Sequence, residues 1–426
     1  MPKIGVLYPS GWGNLGDEAI LQATFAALRG RWPGVELRGF TLHPARTTAN
    51  HGVESEPLTG MNLHLFGAPL GDGPFAVRAV RSLARRTQDT PLVGGLTDRA
   101  SKLVATIVFE AISLRRAWRW LRTADLLLAS GGGQLDAVWG GTWGQPYALA
   151  RWAWLARRAG VPFALLSVGY GGASSWLSRR FLRYAVNSAV YCSVRDAGSR
   201  AMTMQLGVGR GLPIVPDLAF GLTLTPAPPR AHHLPGRDIG ISPMIYLRPG
   251  SWPIESGSDY ARLISLWASV VTAAVEMGDR VHLFVSSPSD STAVRDVWEQ
   301  LADRTRDACT MNQAASPDEL LEFLRGLDAV ISSRLHGVLL AIVSATPVLA
   351  LSHERKVQAL MRDAGMTEFC ADLTTATLDQ ITAMLRDLTD KPEEHQRRLG
   401  EYVESASGAL RKQDDILPEL LRSRHG

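Results

Sequence analysis

Ser332-Ser333-Arg334-Leu335-His336-Gly337 stands between two apolar runs, Asp328 to Ile331 and Val338 to Val343. The first run has the length of a buried strand and the second reads as a helix, so the six residues form a strand-to-helix turn. In an open α/β sheet such a turn lies at the carboxyl end of a strand, where ligands bind and helix-start N–H groups favour anions. Arg334 and His336, with Ser333 beside them, are therefore candidates for an anion site. A second strand, Pro347 to Leu351, leads into Ser352-His353-Glu354-Arg355-Lys356 and brings Lys356 to another strand end. Lys356 is one of five lysines, with Lys3, Lys102, Lys391 and Lys412, in a chain that otherwise uses arginine. Against that background a compact ammonium at a strand mouth is a specific choice. Each residue alone also has a structural reading, since Ser-Arg can cap a helix and a lone His beside an apolar face can be a satisfied core group.

Outward from this segment, the same rhythm runs through most of the chain. Strand signals at Ile4 to Tyr8, Leu37 to Leu42, Leu126 to Ala129, Phe163 to Val168, Val190 to Val194 and Ile214 to Val215 alternate with helical patterns such as Asp17 to Leu28, Tyr147 to Arg158 and Ser175 to Val186. Continuous apolar strands separated by helices predict parallel sheets covered on both faces. The proline-rich stretch Leu222 to Arg237 interrupts the rhythm and reads as a linker. Beyond it the alternation resumes at Ile239. The expected architecture is α/β: two Rossmann-like domains facing a cleft, over 1–225 and 238–390, followed by helices over 391–426.

Composition agrees with two cores in 426 residues, 46% of them hydrophobic. The net charge of +4 is modest, and no nucleic-acid partner is expected. Cys192, Cys309 and Cys370 are scattered without metal-like spacing, so neither a disulfide framework nor a metal site is expected. Met1-Pro2-Lys3 passes directly into an apolar strand rather than a secretory leader, which points to a cytosolic protein. One insertion, about 43–122, departs from the pattern: from Phe75 to Arg122 arginines crowd among Trp118, Trp120 and aliphatics. A basic amphipathic helix there is suited to peripheral contact with an anionic membrane; a solvated insertion or an oligomer contact is the alternative.

The first half supplies glycine loops. Gly11-Trp12-Gly13-Asn14-Leu15-Gly16-Asp17-Glu18 follows the first strand. Its spacing mimics a dinucleotide fingerprint, but two acids at the helix start would repel a pyrophosphate. Gly131-Gly132-Gly133-Gln134 and Gly169-Tyr170-Gly171-Gly172 follow two further strands and are expected to offer bare N–H groups to the cleft. Arg195 in Val194-Arg195-Asp196 is placed either to reach an anion or to pair internally, with Asp196 capping the next helix or orienting Arg195.

Taken in order, Gly13-Asn14-Leu15-Gly16-Asp17-Glu18-Ala19, the Ser130 to Leu135 loop, Val194-Arg195-Asp196 with Ser199, Pro216-Asp217, Ser333-Arg334-Leu335-His336-Gly337 and Pro347 followed by Lys356 resemble the polysaccharide pyruvyl transferase family. The resemblance covers most of the chain except about His43 to Arg122. It implies a glycosyltransferase-B-like fold and transfer of the pyruvyl group of phosphoenolpyruvate onto sugar hydroxyls as a ketal. No cofactor beyond the donor is implied, and the acceptor class would be a bacterial surface glycan, lipid-linked or polymeric. On that reading His336 is the acid or base, and Arg334, Lys356 and Arg195 neutralise the donor. Asp17 or Glu18 would take protons from sugar hydroxyls, helix capping being the alternative. Asn14, Gly16, Gly131, Gly132, Gly133, Gln134 and Ser333 would complete the binding surface. A nucleotide-sugar-dependent glycosyltransferase of the same architecture and a non-catalytic glycan-assembly protein are the competing readings.

Overall fold

A computed structural model describes residues 1–11, 13–61, 91–138, 140–209, 211–222, 236–251 and 255–422. Most of the expected linker, and the part of the basic segment before residue 91, lie outside them. The described residues hold two six-stranded parallel sheets. Their central strands are short apolar runs such as Leu126–Ser130, Phe163–Val168 and Val348–Leu351, buried along their whole length. Such strands have no polar face to give to solvent, so helices must cover both sides.

In chain order the first part contains β1 (Lys3–Leu7), α1 (Leu15–Arg31), β2 (Glu36–Thr41), α2 (Pro44–His51), β3 (Ser55–Pro57), α3 (Pro91–Leu121), β4 (Leu126–Ser130), β5 (Leu135–Asp136), α4 (Gln145–Ala159), β6 (Phe163–Val168), β7 (Tyr170–Gly172), α5 (Trp176–Ser188), β8 (Tyr191–Val194) and α6 (Ala197–Met204). The second part follows with β9 (Asp238–Ser242), α7 (Gly257–Glu276), β10 (Arg280–Phe284), α8 (Ser291–Gln300), α9 (Asp303–Arg306), β11 (Cys309–Asn312), α10 (Pro317–Arg325), β12 (Ala329–Ser332), α11 (Leu335–Val343), β13 (Val348–Leu351), α12 (Arg355–Asp363), β14 (Cys370–Ala371), α13 (Leu378–Asp390), α14 (Pro392–Asp414) and α15 (Leu417–Arg422).

The first sheet has the order β3-β2-β1-β4-β6-β8 and the second β11-β10-β9-β12-β13-β14. Each sheet reverses direction of growth beside its first strand, between β1 and β4 and between β9 and β12. The strand ends at such a reversal leave a crevice because the following loops diverge to opposite faces. Ile214 and Val215, expected as a strand, supply only an isolated bridge from Ile214 to Val194.

Internal contacts divide the chain into Met1–Gly11, Thr24–Asp217 and Lys412–Gly426 as one unit, and Trp12–Ala23 with Leu218–Arg411 as the other. This differs from a division at 225 in where the first glycine loop belongs. The Leu15 N–H donates to the Ser286 carbonyl at 2.9 Å, and the Gln22 amide donates to Asp318 at 2.7 Å. Both partners belong to the second unit, so the loop and the start of α1 group with it.

In the first unit, α3 is held by Glu110, which is buried and accepts from the N–H groups of Gly60 and Met61 and from the Tyr147 hydroxyl, and pairs with Arg151 at 2.7 Å. Trp118 and Trp120, candidates for a lipid-facing edge on sequence, pack against the core instead. Trp120 lies edge-on to Phe40 with ring centroids 5.2 Å apart. Arg115, Arg116 and Arg119 point outward on the same helix.

Candidate active site in the second unit

At the end of β12 the backbone stays extended through Arg334 (φ −84°, ψ 139°), which caps α11, and the helix begins at Leu335. This is three residues earlier than the apolar pattern alone marks. The consequence is positional: His336 sits in the first helical turn, not in the loop. Gly337 lets that turn settle on the sheet, since a Cβ there would lie 2.3 Å from Ser332 Oγ. Ser242, Ser332 and Ser333 are fully buried at the paired ends of β9 and β12, where Ser332 is in register with Ser242.

Arg334 uses its Nε and Nη2 edge on Asp290, with both contacts at 2.7 Å, and Nη2 also reaches Ser289 Oγ at 3.3 Å. Asp290 is fully buried and accepts the Ile245 N–H as well. Burial opposes the guanidinium charge. The paired hydrogen bonds and charge of Asp290, backed by Glu354 and Asp17, outweigh it and hold Arg334 above its ordinary pKa. A fork-to-fork pair of this kind fixes the orientation of the guanidinium as well as its charge.

His336 is positioned by the loop that begins the chain's first helix. A Cβ on Gly16 would fall 1.8 Å from His336 Cγ and 2.1 Å from Nδ1, so the imidazole lies flush against backbone that only glycine can provide. That loop is itself fixed by the Leu15 N–H on Ser286 and by the Gly16 N–H on Asn14 Oδ1 at 3.1 Å. Asn14 thus acts on its own turn, and its carbonyl accepts the Glu18 N–H at 3.1 Å. Asp17 is half-buried and acts electrostatically on Arg334, while Glu18 is almost fully buried. Asn14, Gly16, Asp17, Glu18, Ser333, Arg334 and His336 therefore share one unit.

The mouth of β13 adds a third group. Lys356 pairs with Glu354 at 3.0 Å and remains about two-fifths exposed. Glu354 caps α12 while its N–H donates to the buried Ser352 Oγ at 3.2 Å. His353, between them, stacks on Tyr246 with ring centroids 3.7 Å apart and planes 20° from parallel. Burial pushes the His353 pKa down; Glu354 and Asp372 oppose this, and Lys356 and Arg334 add to it. Burial also raises the Tyr246 hydroxyl, with Asp372 and Asp259 contributing.

The first-unit candidates behave differently. Arg195 is one-tenth exposed and contacts Asp217 at 3.3 Å and Asp196 at 3.4 Å. Gly169 makes room for it, because a Cβ there would lie 2.6 Å from the guanidinium carbon. Asp196 caps α6 through the Ser199 N–H at 2.6 Å, so of the two readings for Arg195 the internal pair is the one formed. Gln134 is fully buried and spends its amide on the Leu7 and Ser130 carbonyls and on the Gln145 side chain. The expectation of bare N–H groups fails along both loops: Gly131 donates to Leu166, Gln134 to Gly132, Gly169 to Gly132, and Tyr170 to Ser199 Oγ. The physical reason is local: Gly131 and Gly132 take positive φ so that the loop folds back on its own sheet, with Gly132 against the Tyr8 hydroxyl. Gly133 is exposed.

The sequence profile of the polysaccharide pyruvyl transferases matches residues 14–355, from the loop beneath His336 to the residue before Lys356. The chain belongs to that family. As a member it is a transferase of polysaccharide biosynthesis. A search of curated proteins returned no match. Among solved structures, this pyruvyl transferase is similar to the putative UDP-N-acetylglucosamine 2-epimerase from Listeria monocytogenes, with 10% identity, TM-score 0.58, and 98% and 95% of the two chains covered. It is also similar to UDP-GlcNAc 2-epimerase from Neisseria meningitidis (11% identity, TM-score 0.54, 99% of each chain). A third is the glycosyltransferase SnogD from Streptomyces nogalater (15% identity, TM-score 0.50, 96% and 99%). At these identities the likeness is one of fold, the glycosyltransferase-B type. Asp290, Glu354, His353 and Tyr246 stand among the candidate residues of this pyruvyl transferase, and sequence reading passed over them. Of these only Glu354 and His353 carried a signal, their place in the segment that ends at Lys356.

Proposed function

We propose that this pyruvyl transferase uses phosphoenolpyruvate as its donor and forms a ketal on two hydroxyls of a glycan. The observation that carries the reading is the β12–α11 junction, where a rigidly held guanidinium and an imidazole seated on Gly16 occur together. The donor brings a carboxylate and a phosphate, which suit Arg334 and Lys356 by charge-assisted hydrogen bonds. Each of these cations already has its own carboxylate, Asp290 or Glu354. The donor anion would therefore meet oriented donors of moderate net charge, a state that permits release of phosphate after reaction.

In the proposed reaction His336 delivers a proton to the methylene carbon, C2 becomes electrophilic, and a sugar hydroxyl adds to it. The C2–O bond to phosphate breaks with its electron pair going to phosphate, and a second hydroxyl closes the ketal. Of the two hydroxyl protons released, one replaces the proton spent on carbon and one leaves with phosphate. His336 suits the first transfer because an imidazole titrates near neutral pH. Asp17 is the acceptor proposed for the hydroxyl protons. No metal or organic cofactor enters this sequence. The acceptor proposed is a bacterial surface glycan, built at the cytoplasmic side of the membrane.

The test is phosphate release from phosphoenolpyruvate with a panel of glycan intermediates, followed by mass measurement of the product. The expected gain is that of a pyruvate ketal. Turnover by His336→Ala at the parent rate would remove His336 from the chemistry. Release of a nucleoside diphosphate from a nucleotide sugar, with none of phosphate from phosphoenolpyruvate, would replace the reading by the glycosyltransferase alternative.

A further inference from the structure

We propose that one face of the first unit, the outer stripe of α5 with the turn beside it, docks on an anionic lipid bilayer. The stripe is set by helical spacing. Trp176, Arg179, Arg180 and Arg183 recur at i, i+3, i+4 and i+7, all are exposed, and Trp176 is 73% exposed. The opposite face, Ser178, Leu182, Ala185 and Val186, is buried, so the helix cannot turn its tryptophan inward without exposing its core contacts. The helix contains no acidic residue, and among the described residues none of the three arginines has a carboxylate in ion-pairing range. Arg179 reaches the Gln205 carbonyl, at 3.4 Å. An exposed indole is costly to leave in water, and beside guanidinium groups without a carboxylate partner it is suited to the headgroup layer, where the ring sits at the interface and the cations meet phosphate.

The neighbouring surface continues the pattern. The turn before α4 is joined to the start of α5 by Thr142 Oγ1, 2.8 Å from Ser175 Oγ. It presents Trp143, half exposed, whose ring centroid is 6.0 Å from that of Phe181 on α5. Beside the other edge of α5 lies a cavity of about 350 Å³ lined by Val138, Tyr170, Ala173, Arg179, Met202 and Leu206. Val138 and Met202 are themselves about half exposed at its rim. Bulky apolar groups on both sides of a cationic stripe favour a bilayer over a soluble polyanion, which would need the charge but not the apolar rim. Among the described residues no helix is long and apolar enough to cross a membrane, so contact of this kind is peripheral.

The experiment is flotation of the full chain with vesicles of phosphatidylcholine alone or with a third of the lipid replaced by phosphatidylglycerol. Binding is expected only to the anionic vesicles and should weaken with added salt. Arg179→Gln, Arg180→Gln and Arg183→Gln together should weaken it about 100-fold, on the basis of roughly fivefold per cation near an anionic leaflet. Trp176→Ser should weaken it about tenfold. Its exposure makes misfolding a poor explanation, and an unchanged melting temperature checks this. Equal binding to neutral vesicles, no binding to either, or parental binding by both variants would overturn the proposal. So would self-association that Trp176→Ser abolishes, or capture by a soluble polyanion that Trp176→Ser leaves unchanged while vesicles fail to bind. Vesicle binding is read without turnover, so its failure is distinct from failure of the proposed reaction.

Discussion

Two arginines at strand ends, one in each unit, have opposite surroundings. Arg195 follows β8, the outermost strand of its sheet, and is enclosed by Asp196, Asp217 and the space that Gly169 leaves. Arg334 follows β12, at the point where its sheet reverses, and holds one carboxylate with an imidazole two residues on. The residue type is the same and the roles differ. After β8 the polar groups of the loop pair among themselves, Arg195 with Asp196 and Asp217. After β12 the helix starts at once, which leaves Arg334 at its cap and His336 in its first turn.

The largest expected break in this comparison is His336→Ala. Loss of a positioned acid should lower phosphate release by about 10²- to 10⁴-fold, read in steady state, whereas Arg195→Lys should change folding more than turnover. Asp290→Asn comes next, because it leaves Arg334 partly buried without its charge partner. A cost of about 3 kcal/mol is expected in denaturant unfolding, against about 1 kcal/mol for Asp217→Asn, where Asp196 still stands beside Arg195. Gly16→Ala sharpens the comparison further. Its Cβ must displace the His336 ring, costing about 1–3 kcal/mol and at least tenfold in turnover. Gly133→Ala in the first unit, where the nearest atom is 4.0 Å away, should be neutral within about 0.5 kcal/mol.

The smallest effect concerns pH. His353 has its folded pKa depressed by burial, so in the window between that value and 6.5 the unfolded chain binds more protons than the folded one. Stability from this group is present above 6.5 and is lost as pH falls through the window. His353→Phe keeps an aromatic ring against Tyr246 and removes the titration. The fall in melting temperature between pH 7.5 and 5.5 should therefore be smaller in that variant than in the parent, and an unchanged difference would remove His353 as a source of it.

Much of this was legible in residues 328–356. Apolar runs of strand length, separated by a turn rich in Ser, Arg and His, already require a parallel sheet with polar groups at its carboxyl edge, because strands without a polar face must be covered on both sides. The chain's own pattern likewise announced the first glycine loop. Its destination was not announced: nothing in Gly13-Asn14-Leu15-Gly16 says that the glycine will lie beneath an imidazole 320 positions later, since a contact at that separation depends on how the intervening strands are ordered. The partners of the cations were hidden for the same reason. Asp290 is 44 residues from Arg334 and sits in an ordinary turn before α8. Local periodicity fixes which face of a strand or helix is apolar. Only the folded arrangement decides which tryptophans pack against the core, as Trp118 and Trp120 do, and which, like Trp176, remain on the surface.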